Sequence, residues 1–186
     1  MKKITINDLN FSGVKTLSRE RQIDNRGSFS RIFCGNELAN AGWHKPIAQL
    51  NHSFNVNKGT VRGLHFQYPP STEMKLITCL KGEIFDVVVD IRRESANFLK
   101  WKAQILSEEN NLSLLIPEGF AHGFQTLTKN TEILYCHSNF YNQESQSGLN
   151  INDPIFNIKW PASISTISKR DENFAFIDSN FEGISI

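Results

Sequence analysis

Strict alternation of apolar and polar positions marks most of this chain, and helical spacing is scarce. Within residues 83–92, Phe85, Val87, Val89 and Ile91 share one face while Asp86, Val88 and Asp90 share the other, the period-2 pattern of a strand. Trp101, Ala103 and Ile105 alternate with Lys100, Lys102 and Gln104 in the same way. Residues 112–116, 124–128 and 131–140 are further strand candidates, separated by turn signals at Pro117-Glu118-Gly119 and Lys129-Asn130. Near the start, Ile4 and Ile6 followed by Leu9 and Phe11 predict an edge strand. Helical periodicity is confined to residues 36–41 and a turn at 169–173. Many short strands at close spacing predict an all-β sandwich or barrel. No repeat, low-complexity tract or linker interrupts the pattern, so residues 1–186 read as one domain.

Composition narrows the function classes. Twenty basic against nineteen acidic side chains leave a net charge of +1, so no chain-wide field attracts nucleic acid and any anion site must be local. No apolar run reaches the roughly 18 to 20 residues that span a bilayer. Met1-Lys2-Lys3 resembles the start of a signal peptide, but Asn7, Asp8 and Asn10 break the apolar run such a peptide needs. Cys34, Cys79 and Cys136 are odd in number, widely spaced and without a Cys-x-x-Cys motif. They read as reduced, buried thiols, and the expected location is the cytoplasm.

Candidate chemistry gathers in two stretches. Val61-Arg62-Gly63-Leu64-His65-Phe66-Gln67, with Lys75 beyond it, and Ile116-Pro117-Glu118-Gly119-Phe120-Ala121-His122 put two histidines, an arginine and a lysine on β-rich segments. This is an inventory for holding an anionic ligand and moving protons. Strand alternation groups Gly63, His65 and Gln67 against Leu64 and Phe66. His65 on a polar face inside a barrel could titrate near neutral pH as a general base, although a lone histidine also fits a structural role. Arg62 is out of phase with His65, and a bulge at Gly63 would be needed to bring both to one site. Lys75 alone reads as a solvated lysine and Tyr135 as strand packing, on a face with Thr131, Ile133 and His137. Asp171, in Ser168-Lys169-Arg170-Asp171, reads by itself as the N-cap of a terminal helix.

From about Asp24 to Asp171 these motifs closely resemble the nucleotide-sugar 3,5-epimerases typified by dTDP-4-dehydrorhamnose 3,5-epimerase, members of the cupin superfamily. The resemblance implies a cupin-type β-jelly roll with the site inside the barrel and a nucleotide-sugar substrate. It implies His65 as catalytic base, Asp171 as its carboxylate partner, Tyr135 as proton donor and Lys75 as the ammonium beside the sugar carbonyl. It further implies Arg26 and Arg62 at the diphosphate, with Lys169 or Arg170 as an added phosphate contact. Gln49 and Asn51 would meet the nucleoside, Tyr141 would stack on the base, and His122 would hydrogen-bond the substrate. Arg31 and Gln146 stand where the rhamnose-pathway enzymes commonly carry glutamates associated with substrate binding. Relatives assemble by strand exchange, so a homodimer is expected, with Arg26 near the neighbouring chain's ligand.

Cupins often bind iron, manganese or zinc through a His-x-His pair, a glutamate and a later histidine. Here His65-Phe66-Gln67 supplies one imidazole and one amide, and glutamine is a poor ligand for first-row transition metals. His44, His52 and His137 form no ligand-spaced cluster and fit surface or hydrogen-bonded structural roles. Metal-independent chemistry without a cofactor is the expectation, and no glycine-rich dinucleotide fingerprint is present. The leading reading is an epimerase of a nucleoside-diphosphate 4-keto-6-deoxyhexose, inverting C3 and C5 in deoxysugar biosynthesis of the rhamnose type. The alternatives are a mono-epimerase, a metal-dependent cupin isomerase or dioxygenase, and a non-catalytic nucleotide-sugar-binding cupin.

Overall fold

The computed structural model describes residues 4–186, so the Met1-Lys2-Lys3 start lies outside the described residues. Two antiparallel sheets pack face to face. The first contains, in spatial order, β1 (Ile4–Phe11), β2 (Val14–Arg19), β10 (Leu112–Ile116), β7 (Lys75–Lys81), β12 (Thr131–His137) and β5 (Gln49–Asn55). The second is ordered β13 (Gln146–Gly148), β6 (Val61–Gln67), β11 (Phe120–Thr126), β8 (Glu83–Asp90) and β9 (Trp101–Ser107). A separate hairpin pairs β3 (Arg21–Asp24) with β4 (Gly27–Ser30). Among the described residues helix is limited to α1 (Gly35–Ala39) and α2 (Lys169–Glu172). Among the described residues no helix is long and apolar enough to cross a membrane.

Alternation along each strand divides the core into three layers. Between the sheets, Val14, Ile77, Leu114, Ile116 and Ile133 meet Ile84, Val88, Leu106, Phe120 and Phe124. On the outer face of the second sheet, Val61, Leu64, Phe66, Val87 and Val89 are covered by the C-terminal segment through Leu149, Ile151, Phe156, Ile158 and Ile184. On the outer face of the first, Ile4, Leu17, Leu76, Leu115 and Cys136 pack under Leu38 and Trp43 from the α1 region. Strand β8 is buried on both faces, so the Asp86 and Asp90 side of the pleat lies inside the protein rather than in water.

The sequence pattern located most elements and misplaced some ends. Strand β11 begins at Phe120 and stops at Thr126, whereas alternation placed a strand at 124–128. All seven of its residues are buried, so the apolar/polar contrast that marks a strand is missing over residues 120–123. Strand β12 ends at His137, earlier than residue 140. The predicted edge strand is β1, at one margin of the six-stranded sheet. Cys79 and Cys136 are buried and unpaired, and burial pushes their thiols up to about 12 and about 11; Cys34 is only half-buried, contrary to expectation.

Candidate active site

One irregularity in β6 builds the site. His65 pairs across to His122 and Arg62 to Phe124, so three steps on β6 oppose two on β11. The extra residue is taken up at Gly63, as a β-bulge. Leu64 keeps to the outer core, Phe66 packs there while also bordering the cavity, and Arg62, His65 and Gln67 all line that one cavity between the sheets. Gly63 sits at φ +109°, and a Cβ there would lie 2.6 Å from both Gly123 Cα and His122 O. No L-residue with a side chain fits this position without moving the backbone.

The cavity holds about 270 Å³ and opens to solvent. His65 and His122 face it from the second sheet; Lys75, Tyr135, His137, Gln49, Asn51 and Ser53 face it from the first. Tyr141 and Gln146 line its mouth.

Asp171, from the start of α2, reaches His65 with Oδ1 2.9 Å from Nε2 and accepts the Gly63 backbone N–H on Oδ2 at 3.0 Å. The local sequence read alone suggested an N-cap, whereas the resemblance implied a partner for His65, and the N-cap is Ser168. Ser168 caps α2, accepting the Asp171 N–H at 3.1 Å, and this frees the Asp171 carboxylate to point at the strand. Burial opposes ionisation of Asp171, but the bonds from His65 and Gly63, with Arg170, outweigh it and hold the carboxyl well below the usual carboxylate range. Burial also dominates at His65 and lowers its pKa against the pull of Asp171, with Lys75 and Arg170 adding to the fall. The pair thus rests as neutral imidazole and carboxylate. Nε2 meets Asp171 Oδ1 and also lies 2.9 Å from Arg170 Nη2, whereas Nδ1 has no hydrogen-bond partner among the described residues.

Lys75 is buried, not solvated, at 6% exposure. Its Nζ lies 3.2 Å from Glu73 Oε1 and donates to the His65 carbonyl at 3.3 Å. Glu73 also accepts from His137 Nδ1 at 2.7 Å. Burial would raise the Glu73 pKa, but these two partners bring it below its ordinary value. His137 Nε2 then accepts from Asn51 Nδ2 at 3.3 Å, and Asn51 Oδ1 accepts from Gln49 Nε2 at 3.0 Å. Tyr135 meets Ser53 Oγ at 3.1 Å and its ring stacks on His137, 6.1 Å between centroids. His122 is not free on both nitrogens, because Nε2 contacts Asp86 Oδ1 at 2.9 Å beneath the cavity floor. Burial raises the Asp86 pKa.

Gln67 is a buried strut. Its Nε2 donates to the Ser71 and Phe140 carbonyls and its Oε1 accepts from Asn142 N. Among the described residues no group of three or more His, Cys, Asp or Glu side chains is arranged to hold a metal. Arg170 touches the site from behind, with Nη2 2.9 Å from His65 Nε2 and Nη1 donating to Gln146 Oε1 at 3.1 Å. Gln146 Oε1 also accepts the Tyr141 hydroxyl at 2.8 Å. Of the expected residues, Asp171 and Arg170 reach His65 from outside the cavity lining, and three more stand apart from the cavity of their own chain. Arg26 is on the exposed β3–β4 hairpin, paired to Asp24 at 2.6 Å; Arg31 pairs with Glu37; and Lys169 is exposed on α2. Sequence reading missed Glu73, Asp86, Ser53 and Asn55, and took His137 as structural.

Over residues 8–179 the sequence matches the family described as dTDP-4-dehydrorhamnose 3,5-epimerase. The chain belongs to that family. A dTDP-4-dehydrorhamnose 3,5-epimerase of Shigella flexneri is 41% identical over 160 residues, 85% of this chain and 88% of its own. The dTDP-6-deoxy-D-glucose-3,5-epimerase of Legionella pneumophila, solved in complex with dTDP-4-keto-L-rhamnose, superposes with a TM-score of 0.91 at 32% identity over 98% of each chain. A 3′-monoepimerase of Streptomyces bikiniensis, solved with dTDP-quinovose, gives 0.84 at 29% identity over 90% of this chain and 85% of its own. The fold is the cupin-type β-jelly roll of these epimerases, as the resemblance implied.

Proposed function

We propose that this protein is an isomerase that inverts C3 and C5 of dTDP-4-keto-6-deoxyglucose, yielding dTDP-4-keto-L-rhamnose for deoxysugar biosynthesis. The observation that carries the proposal is the His65–Asp171 pair opening into one cavity with Tyr135 and Lys75. The 4-keto group acidifies the hydrogens on both neighbouring carbons. His65 Nδ1 takes a ring proton, and Asp171 stabilises the imidazolium that forms. The buried Lys75 ammonium stands ready to stabilise the enolate oxygen. Tyr135, on the facing sheet, supplies the proton to the opposite side of the ring, the larger share of that role falling at C5. Epimerisation leaves the oxidation state unchanged, so the chemistry needs no redox cofactor. A catalytic metal would also lack ligands where Gln67 is committed to backbone groups.

At the nucleotide end, Arg62 is the diphosphate contact within the chain, and Gln49, Asn51 and Tyr141 line the approach for the nucleoside. We also propose a homodimer in which the β3–β4 hairpin brings Arg26 to the partner's ligand. Support comes from Ile23 and Phe29, 76% and 75% exposed on that hairpin, and from Leu50 and Phe54 on the edge strand β5. The three unpaired thiols support a cytoplasmic location. A mono-epimerase remains the second reading, favoured by the likeness to the Streptomyces enzyme. Incubation with dTDP-4-keto-6-deoxyglucose, followed by reduction and identification of the sugar, tests the proposal. A rhamnose product supports it, a C3-inverted sugar alone selects the mono-epimerase, and unchanged substrate rejects both.

A further inference from the structure

We infer that Ser53 and Asn55 are positioning residues that aim the Tyr135 hydroxyl hydrogen into the cavity, with the direction of the chain of bonds set by Arg62. The inference rests on the proposed role of Tyr135 as the acid and says what makes it one. Arg62 Nε can only donate, and it reaches Asn55 Oδ1 at 2.8 Å. The Thr131 carbonyl can only accept, and Asn55 Nδ2 reaches it at 3.3 Å. These two partners independently fix which way the buried Asn55 amide points. The second Nδ2 hydrogen goes to Ser53 Oγ, also at 3.3 Å.

Among the described residues Ser53 Oγ has one further hydrogen-bond partner, Tyr135 Oη at 3.1 Å. Because Asn55 donates to Ser53, the Ser53 hydrogen has a single protein acceptor, and that acceptor is Tyr135. With the Ser53 hydrogen given to Tyr135, its one protein acceptor, the Tyr135 oxygen accepts and its own hydrogen is left for the cavity, where an acid's hydrogen must be. The reverse arrangement, Tyr135 donating to Ser53, would leave the Ser53 hydrogen there instead.

The same bond matters during the step. The Tyr135 O–H bond breaks as the enolate carbon uses its π pair to form a new C–H bond, and the O–H electrons stay on oxygen as phenolate. Burial pushes the Tyr135 pKa up and makes that phenolate costly, and the Ser53 hydrogen bond is the first influence acting the other way. Water returns the proton after product leaves. A second link follows from Arg62. Its Nη groups make no hydrogen bond to the described residues and are free for phosphate, so the residue that meets the diphosphate also orders the acid.

The test compares wild type, Ser53→Ala, Ser53→Thr and Asn55→Asp on dTDP-4-keto-6-deoxyglucose in deuterated water, following C5 by proton NMR. His65 can exchange the C5 hydrogen with retention, whereas inversion needs Tyr135, so the ratio of inversion to exchange reports the acid alone. Loss of Ser53's donor should lower that ratio about ten- to hundredfold, as expected for one hydrogen bond to a charged group. Asn55→Asp keeps the Ser53 hydroxyl but offers it a carboxylate acceptor, turning the Tyr135 hydrogen toward Ser53, and should lower the ratio likewise. Ser53→Thr should restore it. A wild-type ratio in both Ser53→Ala and Asn55→Asp would overturn the inference. So would an equal loss of exchange and inversion, the sign of general damage, or failure of threonine to rescue. A wild type that neither exchanges nor inverts would instead reject the epimerase reading itself.

Discussion

Replacing Asp171 with asparagine keeps the shape of the side chain and changes which atoms can accept. The carboxylate serves two donors, His65 Nε2 at 2.9 Å and Gly63 N at 3.0 Å, and asparagine has one acceptor oxygen. If that oxygen stays with Gly63, the amide NH₂ faces Nε2 and drives the imidazole hydrogen to Nδ1, the nitrogen that must act as base. If the amide flips to serve His65, its NH₂ opposes the buried Gly63 N–H, which costs about 1–3 kcal/mol as an unsatisfied donor. Either way the charge-assisted bond to imidazolium is lost, about 1.5–3 kcal/mol more. The sum, about 3–6 kcal/mol, corresponds to a loss of roughly 10²- to 10⁴-fold in rate. Asp171→Ala should lose less, because water can accept from both donors in the space left behind. The assay is initial-rate kinetics on dTDP-4-keto-6-deoxyglucose. The fall should appear in kcat, with KM nearly unchanged, since the buried Asp171 acts through His65. An asparagine variant within tenfold of wild type, or an alanine variant slower than it, would refute this reasoning.

In the proposed mechanism the neutral form of His65 is the active one, and its pKa is lowered, chiefly by burial. The kcat/KM profile should therefore fall on the acid side below the ordinary histidine value of about 6.5. Arg170→Gln removes a cation 2.9 Å from Nε2; half of the Arg170 side chain is exposed, so a screened interaction of about 1 kcal/mol should move that limb up by roughly 0.7 pH units. An unmoved limb would show that Arg170 does not act on the base. Exhaustive chelation should leave turnover intact, and loss with EDTA that one divalent ion restores would contradict the donor-set argument. Arg26→Ala should raise KM more than it lowers kcat, and sedimentation should show a dimer; a fully active monomer would dismiss the shared site.

Much of the site was legible along β6. The pleat separated His65 and Gln67 from Leu64 and Phe66, and Gly63 marked where a bulge could recruit Arg62. What stayed hidden depended on distance along the chain. Asp171 lies 106 residues beyond His65, and nothing local distinguishes it from a helix cap. Glu73 and His137 are 64 residues apart, so spacing could not pair them; Glu73 was passed over and His137 was given a surface or structural role. Some missed residues did leave a signal. Gln49 and Asn51 were recognised, and extending the same face of β5 by the pleat gives Ser53 and Asn55. The Asp86 and Asp90 face of a strand buried on both sides was likewise a warning that these carboxylates needed partners, found in His122 and Arg92. The start of β11 was missed because a fully buried strand shows no alternation.

The central claim is that His65 removes the ring protons next to the 4-keto group. Proton NMR of dTDP-4-keto-6-deoxyglucose in deuterated water, with wild-type protein and with His65→Asn at equal concentration, tests it most directly. Wild type should place deuterium at C3 and C5 as the sugar is inverted. His65→Asn should slow exchange at both carbons by at least about 10²-fold, the contribution of a positioned base. Exchange at the wild-type rate in His65→Asn would put the base elsewhere and contradict the account.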